Sequence, residues 1–202
     1  MFFIQGYNST GRAVEFALEN GYRHIDTAER FENLNEVGLG IQNFLEKQRT
    51  LAKTRGTPPM TRKDLFITSK IWAVNNSNVT EGYINICKQL RTDHLDVVYL
   101  HLPCALVRQN KVVREAQEDK PSEIEMLPLS PEGDLLFDES IDFIDTWKQM
   151  EKLLFEKKVN AIGVANFNKD QLERLLKVCC VKPQVQMVEI FQKWKKIVFF
   201  SL

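Results

Sequence analysis

Leu95-Asp96-Val97-Val98-Tyr99-Leu100 is an almost uninterrupted apolar run, short and rich in β-branched residues. A strand with that composition is buried on both faces, which is the situation of a central strand in a parallel sheet. The same texture recurs on either side of it. Arg23-His24-Ile25-Asp26-Thr27, Leu65-Phe66-Ile67-Thr68-Ser69-Lys70, Ala161-Ile162-Gly163-Val164-Ala165 and Val185 to Ile190 all read as strands. Phe2–Gln5 and Ile197–Phe200 are further candidates at the two ends.

Between these runs the apolar period changes to about 3.6. A first helix over Thr10–Asn20 presents Ala13, Phe16, Ala17 and Leu18, and Gly21 stops it. A second opens at Asn33, with Glu36 completing a capping-box-like start, and buries Val37, Ile41, Phe44 and Leu45. A third, capped by Asn78 with Glu81, carries Val79, Tyr83, Ile86, Cys87 and Leu90 inward. Ile141, Ile144, Trp147, Met150, Leu153 and Leu154 stripe a fourth, and Asn168 caps a fifth around Leu172, Leu175 and Leu176. Strands alternating with helices predict an α/β fold with a parallel sheet. Right-handed crossovers leave an open doubly wound sheet or a barrel, and periodicity does not separate them. The pattern is interrupted once, from about 104 to 140, where Pro121, Pro128 and Pro131 punctuate an acidic stretch. Because the alternation resumes afterwards, this is a charged surface insert or loop inside a single domain spanning 1–202. Its Lys111–Lys120 charge run reads as a solvated surface.

Composition narrows the function. Basic and acidic residues balance at 27 each, so there is no electrostatic case for nucleic acid or an anionic membrane. No run approaches the ~20 apolar residues of a membrane span, and the N-terminus lacks a signal peptide's basic region. Cys87, Cys104, Cys179 and Cys180 have no metal-ligand spacing, so no metal is expected, and the reading is a cytoplasmic protein.

The polar residues fall at strand ends: Asp26, Lys70, His101 and Asn166 each close a predicted strand. In a (β/α) barrel those ends converge on one mouth, where chemistry is done. Each has a bland reading alone, Asp26 as a helix cap, Lys70 as a surface residue, His101 as a turn histidine beside Pro103. Together they suggest a shared polar pocket. Gly163-Val164-Ala165 does not match the dinucleotide glycine fingerprint, which weakens the open-sheet alternative.

At these residues the sequence resembles the aldo-keto reductases. Gly21-Tyr22-Arg23-His24-Ile25-Asp26-Thr27-Ala28 resembles the second-strand signature of that family, continued by Asn33, Asn35, Glu36, Val37 and Gly38. Asp64 to Trp72, Leu95 to Pro103, Asp145 to Glu151 and Ala161 to Phe167 resemble successive later segments in the correct order. The resemblance implies a TIM-type (β/α) barrel, incomplete here at about five to six of eight βα units. It implies reduction of a small carbonyl substrate with NADPH. Asp26 and Lys70 match the ion pair that lowers the pKa of a catalytic tyrosine, His101 the residue that polarises the carbonyl, and Asn166 an amide holding the nicotinamide carboxamide. Trp72, close after Lys70, is the best candidate to line the substrate pocket.

The sequence also departs from that pattern. The tyrosine position, five residues after Asp26, holds Phe31, which has no proton to give. Tyr22 and Tyr99 do not lie on a strand-end loop that would aim them at the mouth. Ala165 replaces a serine, Met187 occupies the carboxamide-binding glutamine position with Glu189 two residues on, and the early turn reads Gln5-Gly6. The family's 2′-phosphate cluster follows the seventh and eighth strands, beyond Leu202. Activity is therefore expected to be weak or absent. The alternatives are a non-catalytic relative that binds a nucleotide, or a protein partner at an exposed sheet edge, and a truncated product without a function of its own.

Overall fold

The computed structural model describes residues 9–110 and 124–188. The expectations at Phe2–Gln5, Gln5-Gly6, Lys111–Lys120, Glu189, Ile190 and Ile197–Phe200 lie outside the described residues. Helices α1 (Ser9–Glu19), α2 (Leu34–Arg55), α3 (Val79–Leu90), α4 (Phe143–Phe155) and α5 (Lys169–Leu176) alternate with strands β1 (His24–Asp26), β2 (Phe66–Ile71), β3 (Leu95–Leu100), β4 (Val159–Ala165) and β5 (Val185–Met187). All neighbouring strand pairs are parallel. The order is β1-β2-β3-β4-β5, the same in space as in sequence. A doubly wound sheet reverses its order at a switch point; a barrel wall does not. The sheet is therefore part of a (β/α) barrel, as expected.

Every residue of β3 is buried, which places the opening run at the centre of the sheet. The main core lies between the strands and the helices, with Ile67, Val98, Leu100, Ile162 and Val164 on the sheet side. Phe44, Ile86, Leu90, Trp147, Met150 and Leu153 fill the helix side. Trp147 is core, as its stripe implied, and its Nε1 donates to the Val181 carbonyl at 3.0 Å.

The lower end of the sheet is fixed by Asp96. Its Oδ2 accepts from the Ile67 amide at 2.8 Å and from Arg62 Nη2 at 2.9 Å, and its Oδ1 from Asn160 Nδ2 at 3.2 Å. One carboxylate thus binds the starts of β2, β3 and β4 together, far from the ends where β1–β4 finish.

Helix packing explains where the pattern reading erred. The buried residues of α1 are Gly11 and Leu18, with Val14 packed against the core, while Phe16 is 67% exposed. The face is set by α2 crossing close to the Gly11 carbonyl and Val14 at Gly40. Ala13 and Phe16 therefore point outward. Asn33 makes no side-chain cap, and Glu36 accepts instead from the Thr10 amide at 3.0 Å, tying α2 to α1. Asn78 and Asn168 do cap α3 and α5, accepting from the Glu81 and Gln171 amides. Ile141 precedes α4, whose N-cap is Asp142. β5 stops at Met187.

Gly38 marks a tight helix contact that a substitution can test. A Cβ there would meet the Gln89 carbonyl oxygen at 2.5 Å and Leu90 backbone at 2.8 Å. Backbone cannot swing aside as a side chain does. Gly38→Ala is expected to lower stability by roughly 1–3 kcal/mol despite alanine's better helix propensity, read as a lower urea midpoint.

Candidate functional site

Asp26 ends β1, Lys70 lies one residue before the end of β2, His101 follows β3 and Asn166 follows β4. Parallel pairing in register brings these ends to one end of the sheet, where Asp26 and Lys70 bond through their side chains and Asn166 reaches the His101 carbonyl. Lys70 Nζ donates to Asp26 Oδ2 at 2.6 Å and to the Thr27 carbonyl at 3.0 Å. Asp26 Oδ1 accepts from Thr68 Oγ1 at 2.6 Å. The Lys70 side chain is 4% exposed against 36% for Asp26, so the ammonium is the deeply buried partner and the carboxylate faces the mouth. Two oxygens thus receive the buried Lys70 Nζ.

Phe31 closes a 3₁₀ turn over Glu29–Phe31. Its ring lies 5.4 Å from Lys70 Nζ and meets the His101 ring edge-on, with centroids 6.3 Å apart. Trp72 approaches His101 edge-on at 5.0 Å. His101 therefore contacts two aromatic rings. Burial first, then the Lys70 ammonium, push its pKa down from 6.5 to about 4. At neutral pH it is an uncharged imidazole, the form that polarises a carbonyl by donating a hydrogen bond.

This shift makes stability depend on pH. Between about 4 and 6.5 the unfolded chain protonates His101 and the native chain does not. The contribution is complete above 6.5 and declines as pH falls toward 4, by at most about 3 kcal/mol. His101→Gln is expected to remove that contribution, read as a difference in urea midpoint between the two chains that moves in favour of the variant as pH falls from 6.5 toward 4.

Trp72 is only 8% exposed, and its Nε1 donates to the Met126 carbonyl at 2.6 Å. A satellite apolar cluster of Trp72, Ala73, Val74 and Leu106 packs with Leu102, Ile124, Met126 and Leu127. The described ends of the long loop thus form an apolar flank to the mouth, which the loop's acidic composition concealed.

Asn166 is exposed and adopts a left-handed φ of 62°. Its Nδ2 donates to the His101 carbonyl at 3.0 Å, and among the described residues its Oδ1 has no hydrogen-bond partner. Its backbone N–H donates to the Met187 carbonyl, so the two lie side by side. A nicotinamide carboxamide would find one hydrogen-bonding side chain here. The Met187 thioether accepts only weakly, and Ala165 brings no hydroxyl. The fit to the cofactor is partial.

One residue that sequence reading passed over stands out. Glu29, in the Phe31 turn, is 4% exposed. Its carboxyl accepts from the Trp72 amide at 3.0 Å and from Asn75 Nδ2 at 2.5 Å. A glutamate in a turn reads as surface; only the fold shows that a second loop covers it.

The aldo/keto reductase family model matches residues 6–196. An uncharacterized oxidoreductase of Schizosaccharomyces pombe is 37% identical over 91% of this chain and 49% of its own length. Aldo-keto reductase family 1 member A1 of Gallus gallus is 33% identical over 88% of this chain and 47% of its own length. The solved aldose reductase of Schistosoma japonicum superposes with a TM-score of 0.74 at 34% identity, covering 91% of this chain and 55% of that one. The chain spans about half the length of the curated relatives it matches. No helix among the described residues is long and apolar enough to cross a membrane. With a barrel wall, strand-end polar residues gathered at one mouth and a family match across nearly all of its length, the chain belongs to the aldo/keto reductase family.

Proposed function

We propose that the mouth formed by Asp26, Phe31, Lys70, Trp72 and His101 derives from an NADPH-dependent carbonyl reductase site, and that in this chain it performs reduction weakly or not at all. The observation that carries this reading is the Lys70 ammonium, paired with Asp26 and set 5.4 Å from the ring of Phe31. A cation held beside a ring is what a proton-donating phenol needs, and this ring has no hydroxyl. Bound NADPH would supply the hydride; the alkoxide formed on a carbonyl carbon must then be stabilised and protonated. Neutral His101 can donate to the carbonyl oxygen, and Lys70 contributes field, but Phe31 provides no proton. Asn166 would hold the nicotinamide carboxamide, with Met187 beside it offering little.

NADPH titration of the full chain, followed by quenching of tryptophan fluorescence with circular dichroism as the check on folding, tests this reading. Saturable binding that weakens in Asn166→Ala supports it. A folded chain whose fluorescence does not respond to NADPH contradicts it.

A further inference from the structure

The turn that carries Phe31 and the loop that carries Trp72 belong to different βα units. They come together against one imidazole. His101 lies 6.3 Å from the Phe31 ring and 5.0 Å from the Trp72 ring, and both contacts are edge-on. The two supports are joined at one buried side chain. Glu29 Oε2 takes the Trp72 amide proton, and Oε1 takes the Asn75 side-chain amide. Trp72 is tied in turn to the long loop through Met126. We infer that Glu29 is the positioning residue of this mouth, a latch whose carboxyl sets the placement of the Phe31 turn relative to the Trp72 wall, both of which touch His101. That role rests on the mouth being the working site, as proposed above.

Three features separate a latch from an incidental buried glutamate. Among the described residues Glu29 has no cationic side chain bonded to it: both of its partners are neutral amide donors. Its other charged neighbours are Arg108 of the long loop and Glu81 of α3, which form an ion pair with each other. Finally, Asn75 Oδ1 is buried without a partner among the described residues. A protonated Glu29 can donate its O–H to that oxygen once the Asn75 amide turns over, while Oε2 keeps the Trp72 contact. Each protonation state then has its own bonded arrangement of the Asn75 loop. Burial, the largest influence, raises the Glu29 pKa to about 7, so both states are populated near neutrality.

Trp72 reports on the latch directly. Its fluorescence is isolated by subtracting the signal of a Trp72→Phe chain, since Trp147 lies in the core. Measured from pH 5.5 to 9, on the order of one pH unit or more above the His101 transition, the Trp72 signal is expected to titrate with a midpoint near 7. Glu29→Gln keeps the shape and removes the proton; it should retain native circular dichroism and lose this titration. Glu29→Ala should raise acrylamide quenching of Trp72 by releasing the wall, and where that variant does not fold the glutamine variant decides alone. A wild-type signal without a transition, or a transition that persists in Glu29→Gln, overturns the latch. The measurement uses no nucleotide, so its failure is distinct from a failure to bind NADPH.

Discussion

Phe31→Tyr is expected to raise NADPH-dependent reduction of a simple aldehyde by ~10²–10⁴-fold, the range a positioned general acid contributes. In transition-state terms this is about 3–5 kcal/mol. The substitution adds one oxygen to a ring whose placement is already fixed by the turn, the Lys70 ammonium and the edge of His101. No backbone change is required, so the gain should fall mainly on kcat rather than on KM. Steady-state rates for the two chains side by side check it. An unchanged rate in a folded variant that still binds NADPH would mean that more than the acid has been lost, with Met187 and Ala165 the first residues to restore.

Breaking the ion pair is expected to give the largest loss of stability, and the two ways of breaking it should differ. Asp26→Asn leaves the ammonium of a side chain that is 4% exposed facing a neutral amide and the Thr27 carbonyl. Removing one partner of a fully buried pair costs ~3–5 kcal/mol, and the partial exposure of Asp26 lowers this to about 2–4 kcal/mol. Lys70→Met removes the buried charge itself and leaves Asp26 with Thr68 and solvent. That change should cost less. Urea denaturation of both variants tests the order; equal losses would mean that the ammonium is not desolvated as its burial indicates.

The fold was legible where composition has one physical meaning. A β3 that is apolar at every position but Asp96 has no exposed face, and it proved central. Asp26, Lys70, His101 and Asn166 were found because a polar residue that ends an apolar strand has few other places to be. Face assignments were harder, because the orientation of α1 depends on where Gly40 lets α2 approach. Phe16 reads as core from its type and is exposed because of that crossing. The cap expected at Asn33 failed for a similar reason, since Glu36 found a better donor in a residue distant in sequence, Thr10. Glu29 was invisible because its partners Trp72 and Asn75 belong to another βα unit. The apolar ends of the long loop were masked by the acidic residues between them.

The central claim is that Lys70 is aimed at the place where a catalytic hydroxyl would sit. The most direct test is a spectrophotometric pH titration of the phenols in Phe31→Tyr against the unsubstituted chain. Tyr83 and Tyr99 are pushed upward by burial and ionise late, so an early phenol stands apart from them. The account predicts that the introduced phenol ionises at least about one unit below the ordinary ~10, because a buried ammonium favours the phenolate. A new phenol that titrates at or above ~10 would contradict it, and would mean that the pair of Asp26 and Lys70 holds the sheet together without serving the mouth.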